Sequence, residues 1–255
     1  MSRTSDLARS EKLLEQLGWT WAAPQLAELI EQAVREKLSL HAFLECVADA
    51  EHEARESHRV TGWLKRSGLP VGKTLENFDF TFAHGVDRRK VQLLATGEFA
   101  TRHETILVLG PSGVGKTRLA EGLGVKAVTN GLSVWFVTAD ALIEMLRRDE
   151  QAPAARIRQR RYLTAKVLII DELGFQALDR GDAHTLFRLI NHRYERASTI
   201  ITSNKSIRDW PSMLAGDEAL TTAILDRLLH HCHVLSIDGA SYRLRHLEQQ
   251  LSEGG

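Results

Sequence analysis

The stretch Gly110-Pro111-Ser112-Gly113-Val114-Gly115-Lys116-Thr117 constrains the fold of this chain more than any other. It fits G-x4-G-K-[S/T], and its flanks supply the context that spacing requires. Ile106-Leu107-Val108-Leu109 precedes it as an apolar, strand-like run, and Arg118-Leu119-Ala120-Glu121-Gly122-Leu123 follows with helix-compatible residues. Glycines let backbone N–H groups curl round a phosphate without side-chain clash. The start of the following helix adds its partial positive charge. Residues 110–117 are therefore the expected nucleotide cradle, with Lys116 on the β- and γ-phosphates and the Thr117 hydroxyl on Mg²⁺.

Apolar runs recur after the loop at Val134–Val137, Val167–Ile170, Thr199–Thr202 and Val234–Ile237, separated by helical stretches. Together with Ile106–Leu109 they predict a five-stranded parallel sheet with helices on both faces, an α/β fold. Residues 1–68 show only helical periodicity and predict a small all-helical N-terminal domain. Leu13, Leu14 and Leu17 share one face there, and Gly18 closes that helix. Ser39 can cap a helix carrying Leu40, Phe43, Leu44 and Val47. The charged continuation from Ala48 to Arg59 reads as exposed. Residues 69–100 form a linker leading into the ATPase module, with Phe78, Asp79 and Phe80 as anchors, and 101–255 form the core. Val71-Gly72-Lys73-Thr74 repeats the end of the phosphate loop, but Ser67 stands where the motif needs glycine and no strand precedes it.

Val167-Leu168-Ile169-Ile170-Asp171-Glu172 is an apolar strand ending in two carboxylates. Strand ends project side chains at the ligand edge of an α/β sheet. Asp171 is the expected Mg²⁺ partner and Glu172 the general base that polarises water. Asn204, at the end of Thr199-Ile200-Ile201-Thr202-Ser203, is the expected γ-phosphate or water sensor. Asp171-Glu172-Leu173-Gly174 also fits a GTPase switch, D-x-x-G. The guanine-reading Asn-Lys-x-Asp is incomplete, since Asn204-Lys205 is followed by Ser206-Ile207, so ATP is the expected nucleotide.

Arg227, in Ile224-Leu225-Asp226-Arg227-Leu228-Leu229, is the candidate arginine for completing a neighbouring subunit's site, with Arg193 and Arg196 as alternatives. Arg147, Arg148, Arg156, Arg158, Arg160 and Arg161 can neutralise DNA phosphates or form a solvated helix face. Overall charge does not decide between them, because 33 basic residues balance 33 acidic ones. His230-His231-Cys232-His233 looks like a metal site, but adjacent residues do not use the spaced pairs of zinc sites, and no zinc is expected. Two distant cysteines, Cys46 and Cys232, no apolar signal core and no long apolar run predict a cytoplasmic chain without a membrane partner.

With these residues in view the chain resembles the IstB-type transposition helper ATPases, related to the DnaC helicase loaders of the AAA+ class. The resemblance rests on the phosphate loop, on Leu168 to Gly174, on Arg193-Tyr194-Glu195-Arg196 and on Ser198 to Asn204. It extends to Ala223 to His231, to Ser241-Tyr242-Arg243-Leu244-Arg245 and to the linker Lys73 to Phe80. It implies an AAA+ core without a C-terminal lid domain, and an ATPase that forms a ring or spiral homo-oligomer on duplex DNA. Such a protein selects or remodels the target and stimulates an insertion-sequence transposase. The N-terminal domain would dock the transposase, Arg227 would act in trans, Arg243 could stand in for a lid-borne sensor, and residues 138–165 would face DNA. Pro153-Ala154-Ala155 interrupts that last segment. A DnaC-like helicase loader, a GTPase switch and a non-catalytic DNA scaffold are the competing readings.

Overall fold

The computed structural model describes residues 3–70, 72–150, 160–239 and 241–242. By its contacts the chain divides into two compact units, residues 1–62 and 63–255.

The first unit is helical. Helix α1 (Arg3–Gln16) is closed by Gly18 at φ +81°, and a turn of 3-10 helix (Ala23–Gln25) carries Pro24 into α2 (Leu26–Glu36). Helix α3 starts at Leu40, with the Ser39 hydroxyl accepting from the Ala42 N–H, and runs unbroken to Ser67. The small core is Ala22, Leu26 and Val47, with Leu7, Leu14, Trp19, Leu29 and Phe43 packed against it. Leu13 and Leu17 stay exposed, so Leu14 alone of that leucine group turns inward. The segment Ala48–Arg59 is not wholly exposed either. Glu51 is buried, with its Oε2 accepting from the backbone N–H groups of Trp21 and Ala22, both at 2.9 Å. Its Oε1 accepts from Arg55 Nε at 2.6 Å.

The second unit is a three-layer α/β sandwich. Helices α4 (Arg88–Ala95) and α5 (Glu98–Thr101) lead into β1 (Thr105–Leu109). Then follow α6 (Lys116–Thr129), β2 (Val134–Thr138), α7 (Ala139–Glu150), α8 (Arg161–Thr164) and β3 (Val167–Leu173). Helix α9 (Arg180–Arg193), β4 (Ser198–Ser203), α10 (Trp210–Met213), α11 (Glu218–Leu229) and β5 (Cys232–Ser236) complete it. The five strands are parallel in the order β2-β3-β4-β1-β5.

Side chains alternate across the sheet. Leu107, Leu168, Ile170 and Ile201 join residues of α7, α9 and α11 in one core. Ile169 points to the other face, where its Cδ1 approaches Gly124 of α6. Each such fully buried Leu or Ile contributes about 1.5–3 kcal/mol relative to exposure. With both faces covered, the strands read as continuous apolar runs, which is why they are visible in the sequence.

Arg193 is buried at the end of α9. It donates Nη1 to the carbonyls of Tyr162 and Ala165 at 2.9 and 3.0 Å, and Nε to Thr199 Oγ1 at 3.2 Å. Burial lowers its pKa to about 10. Its donors are spent joining α8 to the start of β4, so it offers nothing to another subunit. No helix among the described residues is long and apolar enough to cross a membrane.

Candidate nucleotide site

Because the strands are parallel, their C-terminal ends share one edge, and the phosphate loop, Asp171 and Asn204 all sit there. The loop leaves β1 at Gly110, whose N–H donates to Ser203 O at 3.2 Å across to β4. Gly110 and Gly113 both take positive φ, +152° and +84°. A Cβ on Gly110 would lie 2.1 Å from the Ile237 carbonyl oxygen, and one on Gly113 would lie 2.1 Å from Ser241 Oγ. The Ile237 backbone leaves no room for a side chain at Gly110, a fixed glycine of the motif, while Gly113, one of its free positions, is crowded by the Ser241 side chain.

Helix α6 begins at Lys116, placing its N-terminus against the loop. Lys116 Nζ donates to the Pro111 carbonyl at 2.6 Å, inside the curl of the loop. The Thr117 hydroxyl lies 3.0 and 3.1 Å from the two oxygens of Asp171. Thr202 completes the arrangement: its hydroxyl donates to Asp171 Oδ1 at 2.6 Å and accepts from the Glu172 N–H at 2.9 Å.

Between Ile170 and Leu173 the pairing of β3 with β4 slips by a residue, and Glu172 takes φ +60°. A left-handed non-glycine costs about 1–2 kcal/mol. Such bulges re-aim side chains beside functional sites. Here Asp171 is buried while Glu172 lines the cleft and is exposed.

The cleft is about 550 Å³ and is lined by residues 112–118, Glu121, Glu172, Phe175 and Asn204. Its other wall comes from Lys73, Asn77, Phe78, Asp79 and Phe82 of the linker and from Tyr242. Phe82 and Tyr242 meet edge to face with centroids 5.0 Å apart, and the Tyr242 N–H donates to Gly113 O at 3.0 Å. The linker is held to α6 by ion pairs, Lys73 Nζ to Glu121 Oε2 at 3.3 Å and Lys126 Nζ to Glu76 Oε1 at 2.5 Å. The second pair brings the Glu76 carboxyl down to about 2. Leu75 packs at Gly122, where a Cβ would lie 2.6 Å from its Cδ2.

These residues fit a nucleoside triphosphate with a divalent cation. Arg118 lines the cleft, and its Nη1 is buried with no hydrogen-bond partner among the described residues. Asp171 is buried and makes no ion pair among the described residues, so its nearest partners are two hydroxyls. A hard cation takes oxygen ligands of this kind. The aromatic wall suits a base. Sequence reasoning missed Arg118, Thr202, Phe82 and the cleft role of Phe78, none of which belongs to the loop or strand-end motifs.

Arg227 lies elsewhere. It lines a small cavity with Thr105 and Thr199, at the N-terminal ends of β1 and β4. Five-residue strands put that edge about 17 Å from the phosphate loop. Its Nε donates to Asn191 Oδ1 and its Nη1 to Ala223 O, both at 2.8 Å, and its guanidinium lies over the Phe187 ring at 4.9 Å.

Of the arginine cluster, Arg147 and Arg160 are engaged internally. Arg147 Nη2 meets the buried Asp182 at 2.5 Å, which raises the Arg147 pKa, and Arg160 Nε meets Asp149 at 2.9 Å. Arg161 donates Nη1 to the Arg66 carbonyl at 2.9 Å but is otherwise exposed, as is Arg148. Arg156, Arg158, Arg243 and the Pro153-Ala154-Ala155 interruption lie outside the described residues.

The family profile described as "IstB-like ATP binding protein" matches residues 12–250. The chain is 45% identical over 235 residues to the Insertion sequence IS21 putative ATP-binding protein of Pseudomonas aeruginosa, covering 92% of this chain and 88% of that one. It is 41% identical over 231 residues to the Insertion sequence IS5376 putative ATP-binding protein of Geobacillus stearothermophilus, covering 91% of each. Among solved structures it resembles the DnaC helicase loader, with TM-score 0.51 and 23% identity over 66% of this chain and 97% of that one. It also resembles AMPPCP-bound DnaA from Aquifex aeolicus, with TM-score 0.54 and 20% identity over 73% of this chain and 56% of that one. The fold is that of the AAA+ loaders and initiators.

Proposed function

The chain belongs to the IstB-like ATP-binding protein family, and on that premise we propose that it is the ATP-driven DNA-assembly partner of an insertion-sequence transposase. It is an ATPase. The observation that carries the reading is the contact of Thr117 with Asp171, which joins the phosphate loop to the carboxylate strand at the floor of one cleft.

In this reading residues 110–117 hold the triphosphate through backbone N–H groups, and Lys116 turns from the Pro111 carbonyl onto the phosphates. Thr117 and Asp171 hold Mg²⁺, which supplies charge neutralisation at the phosphate oxygens when bound. Glu172, aimed by the bulge, takes a proton from water, and Asn204 orients that water. Arg227 serves the cleft of a neighbouring copy, since its own cleft is at the far edge of the sheet. That requires a ring or spiral in which the N-terminal strand edge of one copy meets the C-terminal edge of the next.

Duplex DNA would be met by Arg148 and Arg161, with Arg156 and Arg158 lying between them in the sequence, while Arg147 and Arg160 are paired with Asp182 and Asp149. The helical unit would dock the transposase; the exposure of Leu17, Val34, Leu40 and Leu44 supports an apolar contact there. A cytoplasmic location follows from partners of this kind. The insertion-sequence names of the relatives favour a transposase over a replicative helicase as the partner.

Electron microscopy of the protein on duplex DNA at low salt tests this. Glu172→Gln should bind ATP, lose turnover by about 10²-fold or more and accumulate on DNA. Full ATP hydrolysis by that variant, or assembly indifferent to ATP, would defeat the proposal.

A further inference from the structure

The run His230-His231-Cys232-His233 does not act as a unit. His233 leaves with β5 and its Nε2 pairs with Glu104 at 2.8 Å. His230 and His231 stay together at the end of α11, with ring centroids 4.1 Å apart. A third group reaches them from 35 residues upstream. Glu195, in the turn between α9 and β4, brings its carboxylate to the two imidazoles, and the three ligand atoms all lie within 4.8 Å of one another.

We propose that Glu195, His230 and His231 form a binding site for a zinc-type dication, separate from the nucleotide cleft. Two imidazoles and one carboxylate are a donor set that zinc uses when one position is left open. Bonds of about 2.0–2.1 Å in a tetrahedron put donors about 3.3 Å apart, so side-chain rotation suffices to close the set. Tyr194 adds the outer contact that ligating histidines favour. Its hydroxyl lies 2.7 Å from His230 Nδ1. The tautomer that donates from Nδ1 to this oxygen leaves Nε2 as the lone-pair donor.

Glu195 holds φ +55°, a left-handed conformation unusual for glutamate, and its carboxylate is hydrogen-bonded to the Tyr194 hydroxyl. Glu195 and His231 share a small cavity with the guanidinium groups of Arg193 and Arg227, and the carboxylates of Glu195 and of Asp226, which acts on Tyr194, offset that positive charge. An ion here would tie the turn before β4 to the helix that carries Arg227. The open position faces solvent, where water or a donor from another molecule can occupy it.

The test uses the nucleotide-free full chain, with Zn²⁺ titrated by calorimetry and Co²⁺ by visible absorption. Saturation at a single equivalent is expected. Glu195→Gly removes the ligand but suits the positive φ, so it should fold at least as well and bind the metal tenfold or more weakly. His231→Ala should weaken binding comparably. Tyr194→Phe should cost about tenfold through the lost outer contact, and Cys232→Ser should cost nothing. Unchanged nucleotide binding by these variants reports an intact fold and keeps the result independent of the ATPase reading. Equal metal affinity in Glu195→Gly and the parent chain, or no saturable binding by the parent, would overturn the proposal.

Discussion

Thr202 donates its hydroxyl to Asp171 Oδ1 at 2.6 Å while its oxygen accepts the Glu172 N–H at 2.9 Å. One buried side chain on β4 thus holds the Asp171 carboxylate and the backbone of Glu172. Thr202→Val keeps the shape and removes the hydroxyl. It should leave ATP affinity within a few-fold and reduce turnover about 10–100-fold, the range for outer partners of a metal-holding group. Steady-state hydrolysis beside nucleotide binding checks this; wild-type turnover would remove Thr202 from the site.

Arg118 follows the phosphate loop and lines the cleft, and its buried Nη1 has no hydrogen-bond partner among the described residues. A charged donor in that state is satisfied by an anionic ligand. Arg118→Ala should weaken ATP binding by about tenfold or more, since hydrogen bonds to charged groups contribute about 1.5–3 kcal/mol. Titration with a non-hydrolysable ATP analogue measures it, and an unchanged Kd would place Arg118 outside nucleotide recognition.

Burial alone would raise the Glu51 pKa, but the N–H groups of Ala22 and Trp21 and the Arg55 guanidinium outweigh it and hold the carboxyl below its ordinary 4.5. The unfolded chain therefore binds the proton more readily. Stability from this group is complete above pH 4.5 and is lost as pH falls below it toward the folded-state value. Glu51→Ala orphans two amides and should cost about 2–4 kcal/mol. Hydrogen exchange at Trp21 and Ala22 should speed up in the variant and lose its steep acid dependence. Unaltered protection would contradict the contact's importance.

Arg193 is a folding residue in this account. Arg193→Leu leaves the carbonyls of Tyr162 and Ala165 without donors, and a loss of about 3 kcal/mol or more is expected from breaking such a buried network. Arg196→Ala, exposed and bonded to His192 O, should be nearly neutral. Denaturant unfolding of both variants decides it, and equal midpoints would show the network to be dispensable.

The parts of this molecule legible in its sequence are those whose signal is local. Residues 110–117 carry their own spacing, and a sheet covered on both faces leaves apolar runs that end at Asp171 and Asn204. What stayed hidden depends on pairing between distant segments. Thr202 meets Asp171 across 31 residues only because β4 lies beside β3 in a particular register. Phe82 and Tyr242 build one wall from opposite ends of the unit. Arg193 looks like any surface arginine until β4 and α8 close over it. Leu13 and Leu14 differ by one position, and only the direction of the neighbouring helices decides which turns toward the small core. The approach of Glu195 to His230 and His231 was hidden for the same reason, since Glu195 lies on another turn.

The central claim is a nucleotide cleft whose chemistry needs Arg227 from a second copy, and subunit mixing tests it most directly. Glu172→Gln and Arg227→Ala should each be inactive in ATP hydrolysis when pure. Mixed one to one on duplex DNA, they should recover roughly a quarter of the wild-type rate, the share of interfaces pairing an intact Glu172 with an intact Arg227. No recovery on mixing, or full activity of Arg227→Ala alone, would contradict it.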